Sequence, residues 1–97
     1  MTAQPAVLLL TGWHLRHMRS MPRMFWRLRR LEQAARAQPG CLWVHRWISR
    51  RSLLLTLRWR SEDAARAWLA SESFIAFDAA ARALPGSDGF IELRTED

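Results

Sequence analysis

Lysine and tyrosine are absent from these 97 residues, and cysteine occurs once, at Cys41. A lone thiol excludes an intrachain disulfide framework and any metal centre built on a cysteine cluster. Long apolar runs are missing too. Ala6–Leu10 is too short for a secretory leader or a membrane span, and the preceding Met-Thr-Ala-Gln-Pro has no basic n-region. The expectation is a soluble cytoplasmic chain with no membrane partner. No nucleophile motif, phosphate loop or dinucleotide fingerprint is present. Without lysine, all 15 basic residues are arginine, set against 9 acids for a net charge of +6. So uniform a choice of arginine reads as coding bias rather than as a selected site.

What remains is ordinary globular material, at 49% hydrophobic and 25% charged residues, which argues against disorder. The length suits one domain, residues 1–97. A domain of this size buries roughly two thirds of its unfolded surface, so a partner chain often completes the core. Six tryptophans must be housed. They call for large flat surfaces: a core, a dimer interface or a cavity for a planar ligand.

Ala6–Leu15 reads as a strand, apolar almost throughout. Ser20 offers an N-cap, with Pro22 in the first turn. Met21, Met24, Phe25, Leu28, Leu31 and Ala35 then follow at helical spacing, with Arg23, Arg27, Arg30 and Gln33 opposite. Gln38-Pro39-Gly40 stops that helix. Cys41–Ile48 and Leu53–Arg60 form a hairpin across Ser49-Arg50-Arg51-Ser52. Ser61-Glu62-Asp63 starts a second helix, which Ser71-Glu72-Ser73 breaks or kinks. Helical spacing resumes over Phe74–Leu84, and Phe90–Arg94 is a short last strand.

The order is βαββαβ, the ferredoxin-like α+β arrangement: a four-stranded antiparallel sheet with two helices on one face. In the second strand Trp43, His45 and Trp47 share one face, while Leu42, Val44, Arg46 and Ile48 share the other. A strand apolar on both sides leaves the helix-free face too greasy for a monomer. A homodimer joined through its sheet faces is the expected solution.

The stretch Trp59-Arg60-Ser61-Glu62-Asp63-Ala64-Ala65, continued by Trp68-Leu69-Ala70-Ser71-Glu72-Ser73-Phe74, resembles the signature of the dimeric α/β-barrel superfamily. That superfamily includes the antibiotic biosynthesis monooxygenases and the haem-degrading monooxygenases. The shared pattern is a strand ending in Trp, a helix cap, then Trp-x-x-Ser-x-x-Phe, and Pro39-Gly40 before the second strand also fits. The resemblance implies a homodimer and a small monooxygenase of the antibiotic-biosynthesis type. Its substrate would be planar, aromatic or polycyclic, held between helices and sheet, and its cofactor either none or haem. A non-catalytic ligand-binding or stress-response dimer of the same fold is the alternative. Haem-degrading members carry an asparagine in the first strand, a tryptophan on the second helix and a histidine ligand ten residues after it. Trp68 matches the tryptophan, but the histidine position holds Asp78, and the first strand offers Thr11 rather than asparagine. A carboxylate is a poor replacement for an axial imidazole.

Asp78 falls on the helical face of Phe74, Phe77, Ala81 and Leu84, which aims a carboxylate at the apolar side, where it can act as a general base. The same spacing also allows a plain pair with Arg82. His45 is the second candidate base, and His14, at the end of the first strand, a substrate contact. Trp68, Trp43 and Phe74 are the candidate cavity walls, with plain core packing as the competing role for Trp68. The three histidines form no zinc set, since no carboxylate or cysteine pattern accompanies them. Trp26 lies among arginines and stacks on one of them or on another chain. The arginines of the first helix either hold an acidic ligand group, touch nucleic acid or form a solvated face. Nucleic acid is the least favoured, because the strands lack the aromatic and glycine motif of RNA-binding sheets.

Overall fold

A computed structural model describes residues 5–95 of the chain. The expectation about a leader rests on the first residues, and Met1–Gln4 lie outside the described part. Strand β1 is Val7–His14, and a single 3-10 turn, Met18–Ser20, leads into helix α1, Met21–Ala37. Strands β2 (Cys41–Ser49) and β3 (Ser52–Trp59) form the hairpin. Helices α2 (Glu62–Leu69) and α3 (Glu72–Arg82) follow, and β4 spans Asp88–Thr95. The sheet is antiparallel throughout in the order β2-β3-β1-β4. This is the ferredoxin-like α+β fold, with the second helix in two pieces.

The helix boundaries have local causes. Ser61 Oγ accepts from the Ala64 amide at 3.1 Å, and Glu62 and Asp63 sit at the positive end of α2. Ser71 caps α3 in the same way, accepting from the Phe74 amide at 3.3 Å. Ser20 occupies the N-cap position of α1 but its side chain makes no capping bond, and Pro22 in the first turn sets the entry instead. Gly40, at φ 91°, carries the chain out of α1, a conformation that suits glycine.

Alternation along the strands sorts the two faces. Val7, Leu9, Thr11 and Trp13 of β1, with Leu53, Leu55, Leu57 and Trp59 of β3, are buried against the helices. They meet Met24, Leu28, Leu31 and Ala35 of α1, and Trp68, Phe74 and Phe77 of α2 and α3. Thr11, the polar member of that row, donates its hydroxyl to the Leu55 carbonyl at 2.9 Å. The other face bears no helix. Trp43, His45 and Trp47 stand on it, with Leu10, Leu54 and Phe90 beside them.

Three expectations need correcting. Leu42 does not join Val44 on the helix side. The pairing shifts between Cys41 and Trp43, and this irregularity leaves Leu42 exposed. Phe25 is only partly buried, because it turns to the sheet edge, where Arg46 lies over its ring at 5.4 Å. β4 also starts earlier than Phe90, since Asp88 and Gly89 already pair with His14 and Trp13.

Candidate functional site

The layer between helices and sheet is built from rings. Trp68 of α2 stacks on Trp59 at the end of β3, centroids 5.9 Å apart, and lies 5.9 Å from Phe74 at the start of α3. Phe74 reaches Trp13 of β1 at 6.1 Å, and Trp13 meets the edge of Phe77 at 4.6 Å. The break after Leu69 makes this possible. Ser71 Oγ donates to the Trp68 carbonyl at 2.6 Å while capping α3, so one residue fixes where both Trp68 and Phe74 point. Trp68 and Phe74 are thus together, as the sequence suggests, and in this state they are core. Trp13, Trp59 and Phe77 complete the cluster. The sequence places Phe77 on the apolar face of α3 and Trp59 at the end of β3, but does not single out any of the three as a site residue.

Two atoms in this layer are out of balance. The indole Nε1 groups of Trp59 and Trp68 are buried with no acceptor among the described residues. Indole N–H is a donor only, and buried donors are nearly always satisfied. An orphan of this kind costs about 1–3 kcal/mol.

Asp78 lies at the rim of the layer with a side chain 22% exposed, rather than fully on its apolar side. Oδ1 accepts from Trp13 Nε1 at 2.9 Å and from Arg82 Nε at 2.8 Å. The pairing with Arg82 that the spacing allowed is therefore present. The bond to Trp13, made across 65 residues of sequence, is not readable from any local pattern. Both contacts fall on Oδ1, which leaves Oδ2 for a further donor.

His45, Trp43 and His14 are on the opposite side of the sheet. His45 stacks against Trp43 at 5.9 Å and leans on Trp47 at 4.4 Å, forming an exposed row on β2. Trp47 Nε1 donates to Thr56 Oγ1 at 3.2 Å, which anchors the row to β3. His14 Nδ1 is 3.1 Å from Ser52 Oγ. His14, but not His45, lines a cleft of about 430 Å³, together with Trp47, Ser52, Leu54, Asp88 and Phe90. A Cβ on Gly12 would stand 2.5 Å from the Phe90 ring, so glycine is what lets that ring approach β1 so closely. The expectation that Trp43 walls one cavity with Trp68 and Phe74 is therefore not met. Asp78 and His45 are likewise separated by the sheet and cannot act on one substrate within a single chain.

Haem does not fit these residues. The position of the axial imidazole holds Asp78, whose Oδ1 is already engaged. His14, His17 and His45 are exposed, and none points into the ring-filled layer. Among the described residues no group of three or more His, Cys, Asp or Glu side chains is placed to hold a metal ion. No helix among them is long and apolar enough to cross a membrane.

The fold is shared with solved structures of low sequence identity. SnoaB, a cofactor-independent oxygenase from Streptomyces nogalater, superimposes with a TM-score of 0.78 at 21% identity, covering 96% of this chain and 94% of SnoaB. Rv0793 from Mycobacterium tuberculosis does so at 0.79 and 16%, covering 94% and 95%. A conserved protein of unknown function from Bacteroides thetaiotaomicron reaches 0.83 at 12%, covering 97% and 100%. At such identities the likeness shows the fold. No curated protein matches the sequence. The pattern of one family does, over residues 27–80, from the middle of α1 through most of α3 and so across Trp59, Trp68, Phe74 and Asp78. That span is more than half the chain, and the chain belongs to the antibiotic biosynthesis monooxygenase family.

Proposed function

We propose that the chain is a cofactor-independent monooxygenase that takes a planar aromatic or polycyclic substrate into the layer between helices and sheet. The observation that carries this reading is the pair of unpartnered indole N–H groups on Trp59 and Trp68. A ring carrying a carbonyl or phenolic oxygen supplies the missing acceptor. Its entry displaces side chains of the Trp68–Phe74 cluster, and the relief of two orphan donors offsets part of that cost.

Asp78 is the base in this scheme, because it alone of the two candidates borders the layer. Oδ2 accepts a proton from an acidic C–H of the electron-rich substrate, with Trp13 and Arg82 holding Oδ1 in place. The carbanion passes an electron to O₂, and the radical pair joins to a peroxide. Loss of water then leaves a carbonyl, so one oxygen atom enters the product and the other leaves as water. The chain's part is to position the ring, exclude water and hold the proton. His45, across the sheet, has no role in this step. The assembly proposed is a homodimer with open faces together, in the cytoplasm, where a lone thiol stays reduced.

The test is oxygen uptake with anthrone, a planar tricycle with an acidic methylene. Asp78→Asn and Trp68→Phe should each lower turnover by roughly a hundredfold or more, the size of one lost base or donor. His45→Ala should leave it unchanged. Full turnover in Asp78→Asn would remove the base assignment. The reading of a non-catalytic ligand-binding dimer has one observation of its own: Asp78 already has two structural partners. Binding of anthrone without oxygen uptake would establish that alternative.

A further inference from the structure

Helices α1 and α3 do not close on each other along their whole length. Arg27, Arg30, Leu31 and Ala34 recur at i, i+3, i+4 and i+7 on α1, and Ser73, Ala76 and Phe77 at i, i+3 and i+4 on α3. Between these two stripes lies a groove of about 250 Å³. Leu31 and Phe77, both buried, form its floor. Ala34, Ser73 and Ala76 are too small to fill it, and Arg27 and Arg30 stand exposed at its rim.

The two arginines are unbalanced. Among the described residues neither makes an ion pair, in common with Arg16, Arg19, Arg23, Arg29, Arg50, Arg51 and Arg60, whereas Arg36, Arg46, Arg66, Arg82 and Arg94 each find a carboxylate; what sets Arg27 and Arg30 apart is the groove they rim. Glu32, the acid on the same helix, is taken by Arg36 and Arg46. An apolar floor below two unpaired guanidinium groups complements one kind of occupant, a ring that ends in a carboxylate. Guanidinium forks recognise that group bidentately. The groove is smaller than the roughly 300–1,000 Å³ of drug-sized ligand sites, which limits the occupant to one ring or to the acidic arm of a larger molecule.

We propose that this groove binds the carboxylate-bearing ring of an aromatic acid, clamped by Arg27 and Arg30. The floor connects to the oxygenase site, since Phe77 packs on Trp13 at 4.6 Å and Trp13 donates to Asp78. Resting on the proposed oxygenase reading, this makes the substrate a polycyclic acid whose acidic arm lies in the groove while its reacting ring lies by Asp78. The binding site itself stands on the groove geometry.

The experiment is an amide NMR titration of the whole chain with benzoate and, separately, with benzamide, which has the same shape without the charge. Benzoate should saturate with shifts centred on Ala34, Ser73 and Ala76, and benzamide should bind roughly tenfold or more weakly, as expected for loss of a charge-assisted contact. Arg27→Gln with Arg30→Gln should abolish that preference. Arg29→Gln with Arg23→Gln, the same charge change on the same helix but away from the groove lining, with Arg29 stacked on Trp26 instead, should leave it intact. Equal binding of acid and amide, shifts centred elsewhere, or an unchanged preference in the double variant would each overturn the proposal. Neither readout requires turnover. Benzoate binding in the groove with no oxygen uptake on any polycyclic acid would therefore sink the oxygenase reading and leave the groove standing.

Discussion

Trp13 is 2% exposed, and its indole N–H has Asp78 Oδ1 as its acceptor. Replacing Asp78 by alanine strands that donor inside the core, which should cost about 1–3 kcal/mol. The Arg82 pair lost with it is exposed and adds little. Asparagine keeps an acceptor oxygen at the same place, so Asp78→Asn should recover most of the loss while still failing as a base. Urea unfolding of the two variants checks the stability half of this, and oxygen uptake the other. Burial pushes the Cys41 thiol above its ordinary value of 9.0, against weaker lowering by the Trp43 backbone and Arg36. Less thiolate is then present at any given pH, so alkylation at neutral pH should be slower than for a free cysteine, with the gap narrowing only in strong alkali. The folded chain holds this proton more tightly than the unfolded one. Its contribution to stability is therefore complete below pH 9.0 and is lost as pH rises through the higher folded value. At this scale the sequence was a partial guide. Periodicity placed Trp68 and Phe74 inward, and spacing allowed Asp78 to pair with Arg82. Which acid meets which indole depends on how α3 lies over β1, and a local pattern carries no such information.

Ser71 does the work of a joint. It ends α2 by donating to the Trp68 carbonyl and begins α3 by accepting from the Phe74 amide. Ser71→Ala removes both bonds and should destabilise the chain by about 1 kcal/mol, typical of a lost N-cap, as read by thermal or urea unfolding. Because the same residue fixes where Trp68 and Phe74 point, its loss should lower turnover by more than the stability change alone accounts for. Elements of this kind were legible because their signals are chemical and local: Ser61 and Ser71 each precede acids and an apolar run, and Pro39-Gly40 punctuates α1. The irregularity at Leu42 was not legible. Strict alternation puts Leu42 with Val44, and the shift that removes it comes from how β2 registers against β3. β4 was read too short for a related reason. Ser87-Asp88-Gly89 looks like turn sequence, yet Asp88 and Gly89 pair with His14 and Trp13, and 89 is glycine because a Cβ there would stand 2.7 Å from the Trp13 ring.

At the scale of the molecule, the open face poses the largest unsolved burial. Trp43, Trp47 and Phe90 are 45%, 53% and 50% exposed, and they lie with Leu10 and Leu54 on one surface. Burying apolar area yields roughly 25 cal/mol per Å², so a face of this make-up has much to gain from a partner. A second copy is the simplest fit, since a two-fold axis sets the same aromatic row against itself. The uncovered apolar face itself was readable from sequence, because a hairpin apolar on both sides needs two covers and one chain supplies one. Net charge opposes the association, at +6 per copy. The face itself is nearly neutral, however, with Arg58 and Arg94 against Asp88 and Glu92. Sedimentation should therefore find a dimer at micromolar concentration in both low and moderate salt. Trp47→Glu places a charge on this exposed row, where a second copy would bury an unpaired carboxylate at high cost. It leaves the helix-side core untouched, so the far-ultraviolet spectrum should persist while the sedimentation coefficient falls to that of a monomer. A wild-type chain that sediments as a monomer, with Trp43 and Trp47 still accessible to quenchers, would show that this face serves some occupant other than a second copy.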